Sequence, residues 1–466
     1  MNKSDTWEKN IIRDSFYPFT FVATLGGLLF GYDTAVISGA EKSIQAYFIE
    51  PLGLSSLVHG ATVSSALLGC IIGGCISGIF SNRLGRKKTL MIASALFLIA
   101  ALGAGYPETF FFKRGEPSLA LLLTFNLYRI VGGIGVGLVS AVTPTYIGEI
   151  APSQIRGRLV SFNQLAIILG MLVVYFVNWG IAKGESIEWI NAIGWRRMLA
   201  SCAIPASLFG ILLFFIPESP RFLCLNHQEN KALSILVKIN GTKQRASDIL
   251  QEIRNTLVAQ TNTRLFSYGK KVIIIGIFIS VFQQFVGINV VLYYAPRIFE
   301  SMGAVKDASM LQTIIMGIVN VLFTLIAIFT VDKVGRKPLL ISGSVGMAIG
   351  MFALSAMSHY GVISLWTLLF IIIFTASFMM SWGPICWVLI SEIFPNKIRS
   401  KAVAIAVAAQ WIANYLISST YPALMDFSGT LTYGFYGMMA VLSGLFVWKW
   451  IPETKGKSLE EMEKLW

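Results

Sequence analysis

Charge is scarce in this chain. Only 13% of its 466 residues are Asp, Glu, Lys or Arg, about half the share of an ordinary soluble domain. Five cysteines, Cys70, Cys75, Cys202, Cys224 and Cys386, have neither the number nor the spacing of a disulfide framework or a thiolate metal site. The three histidines, His59, His227 and His359, are scattered near predicted loops, so surface positions are expected and no metal ligation. The full phosphate-loop pattern Gly-x-x-x-x-Gly-Lys-Ser/Thr does not occur, which excludes an ATP-driven pump. The Gly132–Gly137 run follows no strand and is no nucleotide fingerprint. Alternating ten-residue segments are missing, which excludes a membrane β-barrel. No small-residue cleavage site follows the charged stretch 1–16, so no cleavable signal peptide is expected.

What the chain has instead is apolar length. Hydrophobic residues make up 55%, gathered into twelve stretches near the ~20 residues needed to cross a ~30 Å hydrocarbon core. In such surroundings backbone polar groups must pair internally, so each stretch is read as a helix. The expected class is an all-α membrane protein with twelve transmembrane helices in two pseudo-symmetric six-helix bundles. The first span is expected over 17–38 and the sixth over 198–216. The bundles are expected over 1–216 and 271–466, the latter with a short cytoplasmic tail. A hydrophilic linker over 217–270 holds short amphipathic helices near 230–239 and 247–257.

Most of the 37 Lys and Arg fall on the linker side. The opposite loops hold Lys42, Lys113, Arg114, Lys183, Arg196, Arg197, Arg297 and Lys306. This asymmetry predicts both termini in the cytoplasm. It also accounts for the net charge of +13 without a nucleic-acid partner. Trp179, Trp195, Trp448, Trp450 and Trp466 fit interfacial anchors. Gly69/Gly73, Gly74/Gly78 and Gly133/Gly137 fit close helix packing.

The two halves repeat three signals. Asn82-Arg83-Leu-Gly85-Arg86-Lys87 after the second span matches Asp332-Lys-Val-Gly335-Arg336-Lys337 after the eighth. Glu149 and Arg156, seven residues apart after the fourth span, match Glu392 and Arg399 after the tenth. Pro217-Glu218-Ser-Pro-Arg221 after the sixth matches Pro452-Glu453-Thr-Lys after the twelfth. Internal repeats of this kind underlie alternating-access transporters. Arg83, Arg86, Glu149, Arg156, Glu218, Arg221, Asp332, Arg336, Glu392, Arg399 and Glu453 are therefore expected to form a cytoplasmic gate where one half meets the other. Orientation of helix ends by their charges alone is the plainer alternative.

These paired signatures resemble the sugar porter family of the major facilitator superfamily, from about Phe21 to Leu465. The stretches from Thr24 to Gly39, Phe282 to Pro296, Met380 to Trp387 and Ala408 to Tyr415 are similar to its bacterial proton-coupled members. The resemblance implies a carrier, not an enzyme, working in the bacterial inner membrane without a cofactor and functional as a monomer. It implies a monosaccharide and a proton as cargo, D-xylose first among the sugars.

A monosaccharide presents hydroxyls that donate and accept, and neutral amides do both. Gln164, Gln283, Gln284, Asn289, Asn320 and Gln410 are amides on four predicted spans, with Trp387 and Trp411 beside them. One such amide alone would be read as interhelical glue, a role left to Asn414; the cluster points to a pocket. In the family, residues matching Gln164, Gln283, Gln284, Asn289, Trp387 and Gln410 bind sugar hydroxyls. Tyr293 matches an outer-side aromatic, and Asn320 and Trp411 line the pocket. Gly287 and Pro296 predict a broken seventh span, and Gly383-Pro384 a broken tenth.

Asp33 and Arg129 are the two ionisable groups expected well inside spans. A charge there needs a partner or water, so the pair is read as a proton-coupling switch, against the alternative of a permanent structural ion pair. Passive facilitators of the family lack an acid at the Asp33 position, so the residue implies symport. Two departures stand out. Cys202 replaces an acid of the proton-coupled pattern, and Met171 replaces a polar residue on the face of Gln164. A passive pentose or hexose facilitator, and a transporter-like sugar receptor, remain as alternatives.

Overall fold

The computed structural model describes residues 3–109, 111–151, 156–240, 242–258, 266–301, 303–361, 366–395 and 398–455. Side chains are described for these residues except 3–17, 156–158, 160–161, 240, 256–258, 332, 391 and 400. Among the described residues there are twelve helical spans long and apolar enough to cross a membrane, and no strand. The first runs Pro18–Ile49, well past its expected end at 38, and the sixth runs Ile187–Leu213, starting earlier than expected. Both extensions carry charges that the fold pairs, as described below, which is why a hydropathy window ends too soon.

The first, seventh and tenth spans are the most enclosed, with 72%, 61% and 56% of their most apolar windows buried against 33% for the eighth. They therefore face the middle of the molecule. The eighth presents its apolar side outward, as a lipid-facing helix does. The halves meet where the fifth span packs on the eighth and the second on the eleventh.

Close approach within the first half depends on small residues. A Cβ on Gly69 would lie 2.0 Å from the Ile130 carbonyl oxygen, and one on Gly133 would lie 1.8 Å from that of Ala66. The second and fourth spans therefore touch backbone to backbone. Gly74 and Gly78 do not serve this purpose: nothing lies within 4 Å of a Cβ at Gly78, and Gly74 faces only the Trp411 ring.

The seventh span breaks at Gly287, whose φ of +89° suits a residue without Cβ. Its helix Lys271–Phe285 gives way there to the short Ile288–Tyr293, followed by Ala295–Ser301. The tenth span breaks at Ser381, slightly before the expected Gly383-Pro384. Pro384 sits in the first turn of Trp382–Ile393, where a missing N–H costs no intrahelical bond. The linker forms Pro220–Leu225, Glu229–Asn240 and Lys243–Val258 around a small core of Leu223, Cys224, Ala232, Leu236, Ala246 and Leu250.

Candidate functional site

The broken seventh span turns its amides toward the centre. A cavity with about 90 Å³ open to water lies between the halves. The second half supplies Gln283, Gln284, Asn289, Tyr293, Trp387, Gln410 and Trp411, and the first half supplies Gln164. Eight of the expected sugar-site residues thus come together. Asn320 does not line the cavity; it is buried on the eighth span. Asn414, expected to act only as glue, both lines the cavity and donates to the Tyr293 hydroxyl at 3.5 Å.

The amides form one chain. Asn289 Nδ2 donates to Gln284 Oε1 at 2.5 Å, and Gln284 Nε2 donates to Gln283 Oε1 at 3.1 Å. Gln410 Nε2 donates to the same Gln283 oxygen, while Gln283 Nε2 donates to the Trp382 carbonyl at 3.1 Å. Gln410 Oε1 and Trp411 Nε1 are buried without a protein partner. An acceptor and a donor are thus available to a polyhydroxylated ligand, since buried polar atoms are rarely left unpaired. Phe30, Ile167, Ile168, Met171, Ile288 and Leu292 give the cavity an apolar wall. Phe30 meets Trp411 across the halves, with ring centroids 5.7 Å apart.

Behind that wall, one residue from the cavity-lining Thr34, lies the charge pair. Arg129 Nη1 is 3.5 Å from Asp33 Oδ1, and both residues are buried. This single contact is at the long limit of a hydrogen bond. Asp33 Oδ2 and Arg129 Nε have no protein partner. The pair is weakly latched, unlike Glu108 and Arg196, which bond twice at 2.8 and 2.5 Å. Fully buried Cys70 and Cys202 flank the Asp33–Arg129 pair, so no second acid occupies the Cys202 position.

Asp33 is not the only buried acid. Glu41 lies in the extended part of the first span and is 1% exposed. Glu108 is buried beside Arg196, whose guanidinium stacks on Trp195 at 4.3 Å and on Tyr47 at 4.9 Å. Trp195 is therefore a core residue and not an interfacial anchor, whereas Trp448 and Trp450 are exposed. Trp466 lies outside the described residues. His59, expected at the surface, is 1% exposed. Local hydropathy hides such groups because each is paired by a residue distant in the chain.

On the linker side the two halves build the same network twice. Arg86 Nη2 reaches Glu149 Oε1 at 2.8 Å, and Arg336 Nη2 reaches Glu392 Oε1 at 2.9 Å. Glu218 accepts from the backbone N–H groups of Arg86 and Lys87, and Glu453 from those of Arg336 and Lys337. Each acid thus caps the N-terminus of the helix that follows a glycine turn, where the helix dipole favours negative charge. Ser219 and Thr454 hydroxyls complete the sets on Glu149 and Glu392.

These contacts correct the expected pairing. Glu149 and Glu218 are held within the first half, and Glu392 and Glu453 within the second, where contacts between halves were expected. Arg399 donates from Nε to the Phe394 carbonyl at 3.2 Å. Arg83 is exposed at its turn and Arg221 half-buried. The side chains of Arg156 and Asp332 lie outside the described residues.

Burial lifts the Glu218 carboxyl above the ordinary glutamate range, against the pull of its backbone donors. At Glu453 burial pushes the same way, but donors from Lys455, Arg336, Lys337 and Thr454 hold the carboxyl below that range.

The sequence profile described as "Sugar (and other) transporter" matches residues 19–466. The chain belongs to this sugar transporter family. It is 52% identical to the D-xylose-proton symporter of Escherichia coli, over 97% of this chain and 95% of that one. It is 39% identical to the glucose facilitated diffusion protein of Zymomonas mobilis, over 96% of each. Among solved structures, the inward open conformation of the xylose transporter XylE from E. coli superposes with a TM-score of 0.88 at 50% identity. That match covers 97% of this chain and 100% of the other. This family member is a multi-pass transporter of the major facilitator fold.

Proposed function

We propose that this protein imports D-xylose together with a proton, by alternating access across a bacterial inner membrane with both termini in the cytoplasm. The observation that carries the reading is the continuous amide chain from Asn289 to Gln410 beside a cavity, with the loosely latched Asp33–Arg129 pair one residue behind its wall. Amides bind sugar hydroxyls without titrating; a buried carboxylate titrates without needing to touch sugar. Protonation of Asp33 frees Arg129 and loosens the first span, which carries Phe30 and Thr34 into the cavity. The cycle thereby joins proton and sugar movement. The similarity to a named D-xylose-proton symporter favours this sugar and this coupling.

The bundles 1–216 and 271–466 would move as two bodies, and the linker 217–270 would tether them on the cytoplasmic face. The paired networks at Arg86 and Arg336 would keep each bundle's cytoplasmic helix ends together as the gate opens and closes. A single chain holds the whole cavity, in keeping with a functional monomer.

Sugar uptake into proteoliposomes, with and without an imposed pH gradient, tests the reading across a panel of pentoses and hexoses. D-Xylose is expected to accumulate only when the lumen is the more alkaline side. Uptake that merely equilibrates under every gradient would overturn symport in favour of passive facilitation.

A further inference from the structure

The outer ends of the halves, on the orientation proposed above, are held together by charge. Arg297 follows the broken seventh span and reaches into the first half. Its Nη1 lies 3.2 Å from Glu41 Oε2, 2.8 Å from Gln45 Oε1 and 3.4 Å from His59 Nδ1. His59 Nε2 is in turn 3.4 Å from Glu41 Oε2. Glu41 and His59 are each 1% exposed, and Glu41 Oε1 has no protein partner. The backbones close over them: a Cβ at Gly60 would come within 1.9 Å of the Ser419 carbonyl oxygen.

Opening this end must withdraw Arg297, because Arg297 belongs to one half and Glu41 and His59 to the other. Glu41 then keeps His59 but loses its guanidinium partner. The nearby guanidinium disfavours a protonated imidazole, so once it leaves, His59 beside the Glu41 carboxylate takes up a proton that the two groups share. The other ionisable neighbours do not replace Arg297. Lys42 is paired with Glu300 across the halves, and Asp426 accepts from Ser56. The Tyr294 ring lies edge-on to His59 at 6.5 Å, with the Tyr421 ring tilted against it.

We propose that Glu41 and His59 form a second proton-binding site, distinct from Asp33, that fills only when Arg297 withdraws and so makes the outer gate open more readily in acid. The sign follows from linkage: the open state holds one proton more than the closed state, so falling external pH favours it. The gate would stand ready for sugar on the side where protons are plentiful. This rests on the alternating-access reading.

The test uses spin labels at Pro51→Cys and Val305→Cys, both exposed outer positions, with Cys75→Ser to remove the exposed native thiol. Asp33→Asn is kept throughout, so that the central acid contributes no pH response. The full-length protein in lipid is measured by pulsed dipolar spectroscopy from about pH 8 to about pH 5, across the ordinary histidine range. The long-distance, outward-open fraction is expected to rise roughly threefold or more on acidification. Glu41→Gln should raise that fraction and flatten its pH response. Arg297→Gln, which leaves the acid in place but removes its cation, should raise it at every pH. His59→Gln should move the midpoint to lower pH. A pH response unchanged by Glu41→Gln overturns the second site. A single distance at every pH, with and without xylose, overturns it together with alternating access.

Discussion

The two halves share a scaffold but differ in what their centres carry. On the linker side they are near copies: Arg86 with Glu149 and Glu218 is matched, atom for atom, by Arg336 with Glu392 and Glu453. At the centre the likeness ends. The first half buries a charge pair, Asp33 and Arg129, and contributes one amide, Gln164, to the cavity. The second half contributes Gln283, Gln284, Asn289, Gln410 and Asn414. The difference separates titration from recognition. A group that changes charge in each cycle would disturb the sugar's hydrogen bonds if it held the sugar itself. Amides keep the same donors and acceptors at every working pH.

Removing the charge from the first half should break this division most completely. Asp33→Asn mimics the protonated acid permanently. One proton moving down ~100 mV releases ~2.3 kcal/mol, and one pH unit adds ~1.4 kcal/mol. Together these could sustain roughly a 500-fold sugar gradient. The variant is expected to lose that accumulation in proteoliposomes yet still exchange labelled for unlabelled sugar. Full accumulation would remove Asp33 from the coupling step.

Damage to the second half's amides should act on binding and spare coupling. Gln284→Ala and Gln410→Ala each leave a sugar hydroxyl or an amide neighbour unpaired, at ~1–3 kcal/mol, or roughly 5- to 150-fold in affinity. Gln164→Ala, the first half's only amide here, should fall in the same range. Calorimetric titration with D-xylose measures all three, and wild-type affinity in any of them would take that residue out of the site.

The linker-side networks offer a test of likeness. Arg86→Gln and Arg336→Gln each strand a partly buried glutamate, so each should destabilise by a few kcal/mol, and by similar amounts. Thermal unfolding in detergent would expose an asymmetry that the matched geometry does not predict. Paired spin labels across the cytoplasmic face would report whether either change also shifts the gate.

The smallest expected effect separates the two capping acids. Glu218 sits above the ordinary glutamate range because burial outweighs its donors; Glu453 sits below it because the donors outweigh burial. On acidification Glu218 should therefore protonate first. Glu453 should keep its charge longer, and the stability its charge provides should fade only as pH falls through its lowered value. Difference infrared spectra of the carboxyl bands, with Glu218→Gln and Glu453→Gln as assignments, can order the two. Titration of Glu453 at the higher pH would contradict this account.

Much of this is legible in the amino-acid sequence. Apolar length gave the twelve spans because a bilayer core demands internal backbone pairing. The matched Gly-Arg-Lys turns announced the repeat, and the amides from Gln164 to Gln410 stood out because polar groups are rare in spans. Partners were less legible. Glu149 lies seven residues before Arg156 in the chain, yet Arg86 holds it, and both belong to helices that only packing brings together. Asn320 shares the chemistry of the cavity amides but not their direction, which depends on how the eighth span is rotated.

By itself, the sequence determined the class, the spans, the repeat and the residue types needed for a neutral sugar and a titrating acid. These follow from composition and period, which are local. Tertiary structure alone decided that Asp33 and Arg129 meet through one long contact, that Arg196 is held by Glu108, and that Glu41 and His59 lie buried against Arg297. Each decision concerns a charge or ring whose burial becomes tolerable only when a partner far along the chain arrives beside it.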